Sequence, residues 1–126
     1  MATTITKIPL SGSTHGRGIK VAATASAGDT IHTATSSTTD CDVITLYAYN
    51  SSASAVNLTL QWGGTTSVDD DIKLSIPATS GLTLVVPDLV LRNSLIVKAY
   101  AGTTNVITIH GSVTVSYTHL RAHETL

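Results

Sequence analysis

The chemistry-bearing side chains of this chain are few: five histidines, eight carboxylates and one cysteine in 126 residues. His119 and His123 stand four apart, a spacing that on a helix places two imidazoles on one face and suits a metal ion. Asp69, Asp70 and Asp71 form the densest run of carboxylates, and carboxylate-rich loops can ligate calcium together with backbone carbonyls. However, the alternating oxygen donors and closing glutamate of an EF-hand are missing. On an alternating strand only two of the three aspartates share a side. The run is therefore expected to be a solvated turn that also keeps a sheet edge from pairing. Cys41 is the sole cysteine, so neither a disulfide within the chain nor a cysteine-based zinc site can form. It reads as a small residue at the start of a strand.

His15, His32 and His110 are the remaining histidines. Serine and threonine abound, so a Ser–His–Asp set can be drawn on paper almost anywhere, yet no G-x-S-x-G nucleophile elbow is present. An enzyme would require a pocket that joins His32 or His110 to a carboxylate. Structural, hydrogen-bonded histidines are the expectation, with no catalytic, cofactor-binding or metal-binding residues, no cofactor and no enzymatic activity. The segment 12–18, GSTHGRG, has glycines but no helix after it, so it does not make a phosphate loop. It is expected to be a mobile arm or loop contacting a neighbouring subunit. Trp62, Tyr47, Tyr49 and Tyr100 could stack on a sugar, although Trp62 shares its strand face with apolar residues and is expected in the core. Asn50-Ser51-Ser52 and Asn57-Leu58-Thr59 match the glycosylation pattern, which means little without a secretion signal.

The elements that must carry these residues are strands. Glu124, Gln61 and Met1 are the only residues of their types, while the β-branched residues Thr, Val and Ile are plentiful. Short stretches of period-two alternation, broken by Gly, Ser, Asn and Pro, predict strands at 3–9, 19–25, 30–35, 43–49, 56–62, 72–76, 81–86, 95–100 and 106–115. In 43–49, Val43, Thr45, Tyr47 and Tyr49 face one way, with Ile44, Leu46 and Ala48 facing the other. In 56–62, Val56, Leu58, Leu60 and Trp62 oppose Asn57, Thr59 and Gln61. Pro77 and Pro87 are expected to close their strands, and Gly111 to allow a bulge or bend. The fold class is all-β: an antiparallel two-sheet sandwich of eight or nine strands, jelly-roll or immunoglobulin-like, with a closed barrel as the alternative. One domain over 1–115 is expected, with 1–18 a possible N-terminal arm.

From Ser116 the texture changes. SYTHLRAHET, residues 116–125, resembles a peptide string produced when a sequencing adapter is translated at the end of a metagenomic contig. The resemblance implies that 116–126 is a foreign or disordered tail and that the native chain continues differently after about Val115. It also makes the His119–His123 spacing accidental.

Charged residues make up 12% of the chain and the formal net charge is −1. The average soluble domain has about 25% charged residues. So weak a field gives no electrostatic reason to bind nucleic acid or an anionic membrane, and little protection against self-association. Apolar residues reach 42% and the mean hydropathy is +0.26, which excludes a disordered chain. No apolar run approaches the ~20 residues of a membrane helix. MATTITKIPLSGSTHG lacks a signal-like apolar stretch, so synthesis and folding in the cytoplasm of some cell are expected.

Three stretches carry a family resemblance: TKIPLSGSTHGRGIKVAATASAGDTIHTA, SSASAVNLTLQWGG…SIPATSGLTLVVPDLVLRNSLIVKAYA, and AGTTNVITIHGSVTV. Over residues 1–115 the chain resembles small β-sandwich proteins encoded among bacteriophage head genes. The resemblance implies a virion structural protein, commonly one that decorates or cements the capsid. Its partners would be the major capsid protein and copies of itself. Proteins of that class often sit as trimers over symmetry axes, with N-terminal arms crossing capsomer seams. A head or tail fibre or baseplate module that binds a host receptor or glycan is the alternative.

Overall fold

The computed structural model describes residues 4–79 and 81–117, in which nine strands and no helix form. They are β1 (Thr4–Ile8), β2 (Ile19–Val21), β3 (Asp29–Thr33), β4 (Asp42–Asn50), β5 (Val56–Trp62), β6 (Asp71–Ile76), β7 (Thr83–Leu91), β8 (Ile96–Ala101) and β9 (Ile107–Tyr117). One sheet has the order β1-β9-β4-β7, with β2 also paired to β9; the other has β3-β8-β5-β6. All the strand pairs are antiparallel. Apart from the step from β1 to β2 and the β5–β6 hairpin, every connection crosses between the sheets. That connectivity is a jelly roll. Each sheet keeps two edges, so the barrel alternative does not hold.

Alternation explains the layering. Ile44, Leu46 and Ala48 of β4 are fully buried with Ile107, Ile109 and Val113 of β9. Facing them across the sandwich are Ile31, Leu58, Leu60, Ile76, Val97 and Ala99. Each large aliphatic chain buried this way contributes roughly 1.5–3 kcal/mol. The opposite side of β4, with Thr45, Tyr47 and Tyr49, faces outward as its alternation predicts.

Three local expectations need correction. Pro87 does not end its strand. β7 is an edge strand, where a missing N–H is tolerated, and Pro87 with Asp88 forms a bulge opposite the single residue Thr45. Asp88 takes a φ of 50°, and its Oδ1 accepts a 2.6 Å hydrogen bond from the Thr45 hydroxyl. Of the bulge or bend expected at Gly111, the bulge is absent, because the β4–β9 register runs unbroken from Asp42 to Asn50. A Cβ at Gly111 would instead collide with the Thr45 carbonyl oxygen of the neighbouring strand. The third concerns Gln61, which alternation sets with Asn57 and Thr59 on the side of β5 opposite its apolar residues, yet its side chain is 1% exposed. Its Oε1 accepts from Gly28 N at 2.8 Å and its Nε2 donates to Ser26 Oγ at 2.9 Å, so the loop before β3 covers it.

At the chain ends, Thr4–Ile8 is a strand of the sheet, paired with Val113 through Tyr117. β9 thus includes Ser116 and Tyr117, two residues past the expected domain boundary. Residues 118–126, with His119 and His123, lie outside the described residues.

Candidate functional site

A cavity of about 710 Å³ opens where β1 ends and β4 begins. Ile8, Pro9, Leu10 and Val115 form its apolar wall, and Ser11, Ser13, Thr14, Thr33 and Thr35 supply hydroxyls. His32 and Asp42 lie at its floor and His15 at its rim.

A bulge puts His32 there. Thr30 pairs with Lys98 but His32 pairs with Val97, so one extra residue sits in β3. Ile31 and His32, which simple alternation would send to opposite faces, are both buried. The loop after β1 then folds over β3. Gly12 N donates to Ile31 O at 3.0 Å, and a Cβ on Gly12 would stand 2.6 Å from Thr30 O and 2.7 Å from Ile31 O. Only glycine allows so close an approach. On the other side, the segment between β3 and β4 is a serine–threonine turn, in which Ser37 Oγ accepts from Thr39 N and Asp40 N. That turn delivers Asp42 beneath the imidazole.

His32 Nε2 lies 2.7 Å from Asp42 Oδ2. The other ring nitrogen, Nδ1, accepts from the backbone N–H of Ser11 at 3.0 Å. An accepting Nδ1 is unprotonated, so the ring is the Nε2–H tautomer and donates to the carboxylate. Asp42 Oδ2 also accepts from Thr35 N at 3.1 Å. The residues are 2% and 3% exposed.

A pocket that joins His32 to a carboxylate is what catalysis in this chain would need, and the structure provides that juxtaposition. The orientation differs from that of a catalytic set. General-base work requires a ring nitrogen aimed at a hydroxyl, and here both nitrogens are occupied. Ser11 meets the imidazole through its main chain, while its Oγ accepts from Thr33 N at 2.7 Å. The pair thus ties three segments together: the loop after β1, strand β3 and the start of β4.

The other sequence candidates lie apart from this site and from one another. His110 is on the outer face of the β1-β9-β4-β7 sheet, opposite Tyr47. Tyr47 and Tyr49 share that face, Tyr100 is on the outer face of the other sheet, and Trp62 packs against the core. The four rings therefore build no common platform. In the aspartate run, Asp70 Oδ2 caps Thr66 N at 3.0 Å and Asp71 Oδ2 accepts from Ser67 Oγ at 3.3 Å. No group of three or more histidine, cysteine or acidic side chains is placed to hold a metal ion among the described residues. Asn50 is fully buried with its amide nitrogen engaged, which leaves Asn57 as the exposed asparagine of the two glycosylation patterns.

No family model matches the chain, and no curated protein is similar to it.

Proposed function

We propose that the protein is a non-enzymatic structural component of a phage particle, a capsid decoration protein that binds the head lattice. One observation carries the assembly part of this reading. Among the exposed large apolar side chains of the described residues, Leu82, Leu84, Leu89 and Val90 lie on or beside one edge strand, β7, and Leu84 and Val90 share its outward side with exposed Tyr47, while Val68 and Leu95 lie elsewhere. A concentrated apolar patch on a nearly neutral domain is the mark of a protein contact surface. The His32–Asp42 pair supports the non-enzymatic part, because its hydrogen bonds are spent on holding segments together. The phage assignment comes from the resemblance of residues 1–115. Repetition over a lattice lets many modest contacts add up to firm attachment. Mass spectrometry of purified virions should find the protein at a stoichiometry fixed by the lattice, and purified protein should co-sediment with expanded capsids. Virions that lack it would sink the proposal.

A second reading, a fibre module that binds a host glycan, is favoured by a separate feature. Tyr100, Asn57, Thr59, Lys73 and Ser75 line a shallow depression of about 400 Å³ on the outer face of the β3-β8-β5-β6 sheet. An aromatic ring flanked by amide, hydroxyl and amine groups suits a sugar. A glycan array should then show hits that Tyr100→Ala removes while the fold is kept, and an array without hits would end that reading.

A further inference from the structure

We propose that the outer face of the β1-β9-β4-β7 sheet is a self-association surface on which a second copy of this chain packs about a two-fold axis. This rests on reading the domain as an assembly module, but not on which particle it belongs to.

The register lays out the face row by row. Lys7, Thr114, Val43 and Val90 are successive partners across the four strands. Ser112, Thr45 and Asp88 follow, then His110, Tyr47 and Leu84, then Lys20, Thr108 and Tyr49. Charge is therefore sorted by edge. The β1/β2 edge carries two lysines and the β7 edge carries the apolar side chains and Asp88. Lys7 and Asp88 line one depression of about 370 Å³ on this face, with Tyr47 and Leu84, yet they make no ion pair with each other.

A two-fold axis lying in the interface and running along the strands between β9 and β4 reverses the strand order of the second copy. It lays the lysine edge of each copy over the β7 edge of the other. Each Lys7 then lies over the partner's Val90, one row from its Asp88 and within the reach of a lysine side chain, twice by symmetry, and the aliphatic stems of the lysines cover Leu84 and Val90. Tyr47 comes to face the His110 side of the partner. The face thus complements itself in both charge and polarity, which a single-sign or wholly apolar patch could not do. Continuous edge-to-edge pairing is disfavoured, because the Pro87–Asp88 bulge interrupts the ladder of β7. β4, β7 and β9 run nine to eleven residues, with β1 and β2 sharing the fourth position beside β9, which gives a footprint of roughly 19 by 30 Å. That is below the ~800 Å² per partner of a standard interface, so a dissociation constant in the micromolar range is expected.

The test is sedimentation equilibrium on the full chain from roughly 1 to 200 μM. Wild type should show a reversible monomer–dimer equilibrium. Leu84→Asp should stay monomeric throughout, with an unchanged circular dichroism spectrum. Lys7→Glu and Asp88→Lys should each weaken the dimer roughly tenfold, since each reverses two symmetry-related pairs. The double variant Lys7→Glu/Asp88→Lys should recover most of the loss. A wild type that remains monomeric, a trimer, or a double variant no better than the single ones would overturn the proposal. A dimer with these signatures that is missing from virions would instead remove the phage assignment and leave the interface standing.

Discussion

Strand β4 begins and ends on a buried polar side chain, and the two ends solve that problem in opposite ways. At its start, the carboxylate of Asp42 can only accept, so donors must come to it: the imidazole of His32 from the other sheet and the Thr35 N–H. At its finish, the amide of Asn50 both gives and takes. Nδ2 donates to Ser54 O at 2.9 Å and Ile76 O at 3.0 Å, while Oδ1 accepts from Ser52 N and Ser52 Oγ. Both ends tie one sheet to the other. The amide completes its own hydrogen bonding with neighbouring turn residues and the end of β6. The carboxylate depends on a bulge and a long loop to bring its partner, and a cavity remains above the pair.

Exchanging the two chemistries tests this difference. The largest effect is expected for Asn50→Asp, which turns two donated hydrogen bonds into a carboxylate facing two carbonyl oxygens in a fully buried site. A loss of roughly 4–5 kcal/mol, or failure to fold, should appear in urea unfolding. His32→Ala comes next, at about 3 kcal/mol, because it leaves a buried carboxylate with the Thr35 N–H as its remaining donor and opens more space below the cavity. The milder half of the exchange is Asp42→Asn, at roughly 1–2 kcal/mol: an amide oxygen can still accept from His32 or Thr35, and no charge is buried. These measurements belong at protein concentrations below the dimer range, where association does not add to stability. If Asp42→Asn cost as much as Asn50→Asp, the distinction between the two ends would be broken.

How much of this was legible in the sequence depended on period. Strand β5 lies where its alternation placed it, and the inward set Ile44, Leu46 and Ala48 follows directly from spacing. Period-two reasoning breaks down wherever the register slips. The bulge in β3 buries His32 beside Ile31, and the bulge in β7 carries the strand past Pro87, and neither leaves a mark in the hydrophobic pattern. Gln61 is buried on the polar side of β5 because a strand's own alternation says nothing of a loop that folds over it from Ser26 to Gly28. The site was missed in a similar way. His32 stands out as a single residue, but its pairing with Asp42 depends on the tight approach at Gly12 and on the turn at Ser37. One usable signal was present: a lone histidine in a Thr-rich strand ten residues before an aspartate at a strand start.

The smallest effect separates the floor of the cavity from its rim. His15 is exposed, in a left-handed backbone conformation with φ of 53°, and lines the same cavity as His32. His15→Ala should therefore change stability by no more than about 0.5 kcal/mol, the usual range for a surface substitution. A readout of chemistry makes the contrast sharper than one of stability. Diethyl pyrocarbonate attacks an unprotonated imidazole nitrogen that it can reach. His15 offers one, whereas His32 is 2% exposed, with Nδ1 occupied by the Ser11 N–H and Nε2 turned to Asp42. Peptide mapping after brief treatment should find the adduct on His15 and not on His32. Modification of His32 at a rate like that of His15 would mean that its ring is free to turn into the cavity, and the pair would then have to be read as a working acid–base group rather than a fastening.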